Sequence, residues 1–130
     1  MMTEFTLKHI EEVKGKVAFY KLVKNDTCFY DEFEQNLESK YLSELYTIVA
    51  YMNKVANGET CPDTKFKWLK TKKNDPVKEF EFKSKNIRVF GISFKGTGKI
   101  IILGGYKNKY KKTLESFRSI KKHYLYTINY

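Results

Sequence analysis

Side chains that could act on a phosphodiester are concentrated in the second half of the chain. Arg88 lies near the start of the apolar stretch Asn86–Phe94, in a chain that has 23 lysines and only two arginines. The segment Lys107–Lys112 is rich in lysine, and His123 precedes Tyr124 near the C-terminus. Histidine is the one side chain whose ordinary pKa lies near neutrality. Together these residue types can neutralise a phosphate, stack on a base and transfer a proton.

Charge is distributed unevenly along the chain. Residues 1–64 carry seven lysines against eleven acids, a net charge of −4. Residues 65–130 carry sixteen lysines and two arginines against four acids, a net charge of +14. Such polarisation favours a polyanionic partner, of which nucleic acid is the commonest. The alternative is a solvated lysine-rich surface, because AT-rich coding also favours lysine over arginine.

Length and composition predict one cytoplasmic domain over residues 1–130. No apolar run approaches the roughly 18 residues of a membrane-spanning helix, and no basic region followed by an apolar one marks a secretion signal. Cys28 and Cys61 are far apart and show no metal-type spacing, so we expect reduced cysteines and no metal. The motif Gly96-x-Gly98 is too short and wrongly placed for a dinucleotide-binding loop, and we expect no small-molecule cofactor.

Hydrophobic periodicity in the first half predicts a strand followed by two helices. The strand covers Lys16–Val23, whereas residues 1–14 show no clear pattern. Asn25–Thr27 offers N-cap oxygens for a helix whose apolar residues recur every four positions. A second helix follows over about Tyr41–Asn57, with Gly58 as its C-terminal stop. Because almost no linker separates the two helices, they should form an antiparallel helical hairpin.

The second half supplies three more strands and a closing helix. After an irregular stretch over Glu59–Pro76, the strands are Val77–Lys83, Asn86–Phe94 and Ile100–Tyr106, and the helix runs from Leu114 to Tyr124. The run Ile100–Leu103 does not alternate, which is typical of a central strand. A tight turn is predicted at Gly96–Lys99. The predicted order is β-α-α-β-β-β-α, an α+β domain whose antiparallel sheet has the helical hairpin on one face, in two layers.

Three motifs occur in a specific order along these strands. They are Phe80-Glu-Phe-Lys83, then Asn86-Ile-Arg-Val-Phe90, and, after an apolar strand, Gly105-Tyr-Lys-Asn-Lys109. Over roughly Lys16–Tyr124 the chain resembles the RelE/ParE toxin superfamily, nearest to its HigB-like, phage-related branch. Members of that family carry an aromatic-Glu-aliphatic-Arg strand, a Tyr-Arg-aliphatic strand and an aromatic-x-Lys-Lys segment after the last strand.

The resemblance implies a toxin of a type II toxin–antitoxin system. Many family members cut mRNA in the ribosomal decoding site without a metal and leave a 2′,3′-cyclic phosphate. We therefore expect a metal-independent, ribosome-dependent endoribonuclease, with a cognate antitoxin, the ribosome and mRNA as partners. Two alternatives stay open: a non-catalytic ParE-type gyrase inhibitor, and a basic nucleic-acid-binding domain on the same fold.

The resemblance also implies roles for strand residues. Arg88 matches the family's sheet arginine and is the expected phosphate clamp, although an ion pair with Glu79 or Glu81 across the strands would also explain it. Lys83 takes the position of a second strand arginine, where it binds phosphate less well than a bidentate guanidinium. Glu81 matches an acid that serves as base in some members, but a solvated strand carboxylate is the simpler expectation.

Further roles are implied after the last strand. The family's basic segment is matched by four lysines, Lys107, Lys109, Lys111 and Lys112. With Tyr110 they are expected to contact RNA, the alternative being a solvated helix start, whereas Tyr106 suits core packing. The pair His123 and Tyr124 is similar to a C-terminal His-Tyr pair that transfers protons in some cutting members. Tyr130 is a second candidate for that role.

Overall fold

The computed structural model describes residues 3–94 and 98–129, which form one sheet of seven strands with three α-helices. The strands are β1 (Phe5–His9), β2 (Phe19–Lys24), β3 (Thr27–Cys28), β4 (Phe66–Trp68), β5 (Lys78–Lys83), β6 (Ile87–Phe94) and β7 (Gly98–Tyr106). The helices are α1 (Phe29–Asn36), α2 (Leu42–Ala56) and α3 (Tyr110–Thr127), with 3-10 turns at Ser39–Tyr41 and Lys107–Lys109. The predicted α+β class is confirmed.

The sheet is mixed, so the predicted wholly antiparallel sheet is wrong. Its strand order is β1-β2-β7-β6-β5-β4, and β3 pairs with β2 beside this path. Strand β2 pairs parallel to β7, with Phe19 opposite Lys99 and Lys21 opposite Ile101. The other strand pairs are antiparallel. Adjacency in sequence predicts antiparallel pairing only for neighbouring strands, and most of the chain separates β2 from β7.

Both faces of the sheet are covered, which corrects the predicted two-layer arrangement. Ile101 of β7 packs in the cluster under α1 and α2, whereas Ile100 and Ile102 pack in the cluster under α3. On the α3 side, Phe117 stacks on Phe90 with ring centroids 5.3 Å apart. Helices on both faces of the sheet therefore explain the unbroken apolar run of β7. The predicted central position of this strand is confirmed, because it lies between β2 and β6.

The N-terminal half contains strands that its pattern did not predict. Residues Phe5–His9, left unassigned from the sequence, form edge strand β1 against β2. The expected helix start is also wrong, because Asn25 has φ 55° and lies in the β2–β3 turn. Helix α1 begins at Phe29 without a side-chain cap from Cys28. Asn and Asp are common both in turns and at helix N-caps, so their presence in the sequence did not tell a turn from a helix start.

The remaining predicted elements lie close to their expected positions. Helix α2 ends just before Gly58, whose φ of 76° suits its role as a stop. The stretch predicted as irregular contains the short strand β4, which pairs with β5. Of the predicted turn at Gly96–Lys99, residues 96 and 97 lie outside the described residues, and Gly98 has φ 81°. Cys28 and Cys61 are free thiols.

Candidate nucleic-acid site

Arg88 lies near the start of β6, on the face of the sheet that α3 covers. Its Nη1 donates hydrogen bonds to the carbonyl oxygens of Ser84, at 2.6 Å, and Ile87, at 2.9 Å. Its Nε and Nη2 have no hydrogen-bond partner among the described residues, and the ion pair with Glu79 or Glu81 is not formed. One side of the half-buried guanidinium is thus held by backbone, and its other donors remain available for an anion.

Glu44 of α2 anchors the turn that holds Arg88. It accepts hydrogen bonds from the backbone N of Asn86 (2.9 Å), from Asn86 Nδ2 (2.8 Å) and from the hydroxyl of Ser84. Burial disfavours the charged carboxylate, but these hydrogen bonds outweigh it and lower the pKa of Glu44. Because Ser84 also holds Arg88, helix α2 positions the guanidinium indirectly. Nothing in the sequence marked Glu44, since its partners lie about forty residues away.

Replacing Glu44 by glutamine should destabilise the protein by about 1–3 kcal/mol, because an amide cannot accept all three hydrogen bonds. The pKa of Glu44 is lowered on folding, so its stabilisation is complete above the ordinary value of about 4.3 and is lost as pH falls through the lower folded value. Urea denaturation should therefore show a constant difference between wild type and Glu44→Gln at about pH 6–8 and a shrinking one below about pH 4. A difference independent of pH would contradict this.

Glu81 and Tyr110 form a hydrogen-bonded pair close to Arg88. The Tyr110 hydroxyl donates to Glu81 Oε2 at 2.7 Å, and Lys83 Nζ lies 3.9 Å from Glu81 Oε1. The Glu81 residue is only 4% exposed, so the expectation of a solvated carboxylate is wrong. Burial and the bond to Glu81 raise the pKa of Tyr110 to about 12, against an opposing effect of Arg88. Tyr110 is therefore a neutral phenol at pH 7.

The four lysines of the basic segment surround the start of α3. All are exposed, and none forms an ion pair within the part of the chain that the structure describes: Lys107, Lys109, Lys111 and Lys112. Tyr106 instead packs its ring edgewise on Phe33 and Tyr41, which confirms its predicted place in the core. The first turn of α3 thus joins an unpaired cationic surface to the Arg88 region.

His123 and Tyr124 lie elsewhere. Both contact Phe5 of β1, with ring centroids 5.2 and 5.4 Å apart, and Tyr124 is buried. Helix α3 is continuous from Tyr110 to Thr127, so His123 lies about 20 Å along its axis from Tyr110. The structure therefore brings Arg88, Lys83 and Tyr110 together but not His123 or Tyr124. Tyr130 lies outside the described residues.

Across residues 3–94 and 98–129, no group of three or more His, Cys, Asp and Glu side chains is placed to hold a metal ion. No helix in these same ranges is both long and apolar enough to cross a membrane. Comparison of the chain with family models, curated proteins and solved structures found no match. The described residues form an α+β domain with a mixed sheet between helices, and exposed lysines without ion pairs cluster at the start of α3.

Proposed function

We propose that this protein is a RelE/ParE-like toxin that cuts mRNA on the ribosome without a metal. The observation that carries the proposal is the state of Arg88. Its Nη1 is fixed by two carbonyls, and its Nε and Nη2 have no partner among the described residues. Arginine in such a position binds a phosphate through two parallel hydrogen bonds to two of its oxygens. The neighbouring unpaired lysines then add charge that attracts the RNA backbone.

Tyr110 and Glu81 supply a route for the proton that RNA cleavage must remove. In the proposed step the ribose 2′-hydroxyl passes its proton to the Tyr110 oxygen while the Tyr110 proton moves to Glu81. The 2′-oxygen forms a bond to phosphorus as the 5′-oxygen leaves and takes a proton from a lysine of the basic segment. Arg88 neutralises the charge that builds up on the phosphate. A neutral phenol is the form of Tyr110 that this relay requires.

Binding without cleavage is the second candidate function. It is favoured by one observation, the separation of His123 and Tyr124 from Arg88 along α3. A protein with this basic surface and no proton-transfer group would still bind nucleic acid or inhibit a nucleic-acid enzyme such as gyrase. The experiments below separate the two functions.

The proposed antitoxin has an acidic, amphipathic segment that covers the groove between α1 and α3. This open groove has a volume of about 550 Å³. Its lining includes the apolar residues Phe29, Leu103 and Ile120 and the two lysines Lys109 and Lys112. An amphipathic helix would place apolar residues against the first three and carboxylates against the two lysines. Such a segment would mask the basic surface as well.

Arg88→Ala should abolish growth inhibition when the protein is expressed in bacteria. Loss of a positioned donor to the transition state costs on the order of 10²–10³ in rate. Arg88→Lys should recover only part of the activity, because an ammonium cannot bind bidentately. The matched control is Arg118→Gln, which removes the same charge from the only other arginine in the sequence. This variant should still fold, because Lys121 continues to pair with Glu79. Circular dichroism and antitoxin binding should be unchanged in all variants, and full toxicity of Arg88→Ala would contradict the assignment.

Mapping of mRNA 5′ ends within minutes of induction tests the reaction itself. We expect new cuts confined to translated reading frames, absent from Arg88→Ala and present in Arg118→Gln. Growth arrest without such cuts, accompanied by DNA-damage signalling, would replace the nuclease with gyrase inhibition. Absence of any effect on growth would leave a basic binding domain.

A further inference from the structure

We propose that a second surface, the Trp68 platform, binds a segment of single-stranded RNA. The platform consists of Trp68 on β4, Lys78 on β5, Ser93 on β6 and Lys99 on β7. It lies on the sheet face that α1 and α2 partly cover, opposite the face that carries Arg88. It goes beyond the proposed function, because it contributes affinity without touching the cleavage site.

Trp68 is an exposed aromatic ring on a rigid support. It lies on the edge strand of the sheet and is 47% exposed. The rings of Phe66 and Phe80 meet it edgewise, with centroids 5.3 and 5.8 Å away. Both phenylalanines are buried, so the orientation of the indole is set before any ligand binds. A large ring held in place yet open to solvent is the arrangement on which nucleic-acid bases stack.

Two lysines lie in one row across the sheet, next to the row in which Trp68 pairs with Phe80. Lys78 pairs with Ser93, and Ser93 pairs with Lys99, so the two lysines lie two strands apart on the same face. Lys99 Nζ lies over the Trp68 ring, 5.4 Å from its centre, so a base stacking on that face would have to displace this cation–π contact. Neither lysine has a carboxylate partner within the described ranges. Burial lowers the pKa of Lys99, because it disfavours the charged ammonium. An approaching phosphate would stabilise that ammonium.

The sequence around Trp68 extends the positive charge. Residues 65–78 contain six lysines and one acid. Several of these lysines are exposed: Lys67, Lys70, Lys72, Lys73 and Lys78. A positively charged track beside an aromatic ring is typical of surfaces that bind single strands without sequence preference. An acidic peptide would satisfy the lysines but would leave the exposed indole without a stacking partner, so a nucleic acid fits both features.

Trp68 is the only tryptophan in the chain, so its fluorescence reports on this surface alone. Titration with a uridine oligomer of about 15 nucleotides should quench the emission, and the quenching should weaken as salt is raised. A duplex RNA of the same length should quench less, because its bases are already stacked. Arg88→Ala should remove the mRNA cuts whether or not RNA quenches Trp68, so failure of the proposed cleavage site and failure of this platform are separate results.

Substitutions measured by anisotropy with labelled RNA complete the test. Trp68→Ala should weaken binding on the order of tenfold, whereas Trp68→Phe should retain most of the affinity because a ring remains. Lys78→Gln with Lys99→Gln should also reduce the salt dependence, by about 0.7 in the slope of log K against log salt for each lost contact. The matched control is Lys8→Gln with Lys40→Gln, which removes the same charge from exposed positions outside the platform.

Three results would overturn the proposal. RNA that binds by anisotropy without quenching Trp68 would place the contact elsewhere. Equal quenching by poly-glutamate would assign the surface to an acidic protein. Equal losses of affinity in the platform and control lysine variants would show that only total charge matters.

Discussion

Replacing Glu79 by alanine should destabilise the protein by about 3–5 kcal/mol, because it leaves buried positive charge without a partner. Glu79 lies on β5 beneath α3, and its side chain is 4% exposed. Its two oxygens are held by Arg118 Nη2 at 3.0 Å and by Lys121 Nζ at 2.9 Å. Lys121 is itself only 13% exposed, so it would lose its carboxylate partner at a largely buried position.

Partner and control variants identify the source of this effect. Arg118→Ala should cost less than about 1 kcal/mol, because the Arg118 side chain is 47% exposed and Lys121 still neutralises Glu79. Glu32→Ala removes an acid from the exposed surface of α1 and should be close to neutral. Urea denaturation at pH 7 measures all three. A cost below about 1 kcal/mol for Glu79→Ala would show that α3 moves and lets water reach Lys121.

Gly91→Ala should destabilise the protein by about 3 kcal/mol or prevent folding, because β6 has no room for a methyl group at this position. A Cβ on Gly91 would lie 2.5 Å from the carbonyl oxygen of Ile100 and 2.5 Å from Cζ of Phe80. The Ile100 oxygen belongs to the backbone of β7, so it cannot move without disturbing the sheet. The pairing between β6 and β7 shifts register between Phe90 and Gly91, so the regular ladder is interrupted beside this glycine.

Gly58→Ala is the matched control for Gly91. A Cβ on Gly58 would meet no atom within 4 Å, so its cost comes only from the φ of 76° and should be about 1–2 kcal/mol. Expression level and thermal unfolding should therefore rank wild type above Gly58→Ala and Gly58→Ala above Gly91→Ala. Equal melting temperatures for the two variants would contradict the steric explanation.

The burial of the polar residues of β5 could not be predicted from the sequence. Phe80 and Phe82 alternate with Glu79 and Glu81, which predicts a strand with one apolar and one solvated face. The strand and its apolar face are confirmed, but both glutamates are buried. Their charge is matched by Arg118, Lys121 and the Tyr110 hydroxyl, all on α3. A carboxylate that is solvated and one that is buried with partners look the same in a local pattern.

The sequence also predicted only part of the candidate site correctly. The positions of Arg88 and Lys83 on neighbouring strands follow from the strand pattern, and the structure pairs them across β5 and β6. The position of His123 relative to Arg88 depends on how far α3 continues and where it crosses the sheet. Because α3 runs unbroken for 18 residues, it carries His123 to β1 at the far edge of the sheet.

The sequence alone determined the α+β class, the presence of two helices between the first strands and β5, strands β5 to β7 and the polarised charge. These are properties of short segments, in which the spacing of apolar residues and the chemistry of turns act locally. Tertiary structure decided the parallel pairing of β2 with β7, the burial of Glu79 and Glu81, and the separation of His123 from Arg88. Each of these depends on which surfaces meet across long stretches of chain, and periodicity within one element contains no information about its partner.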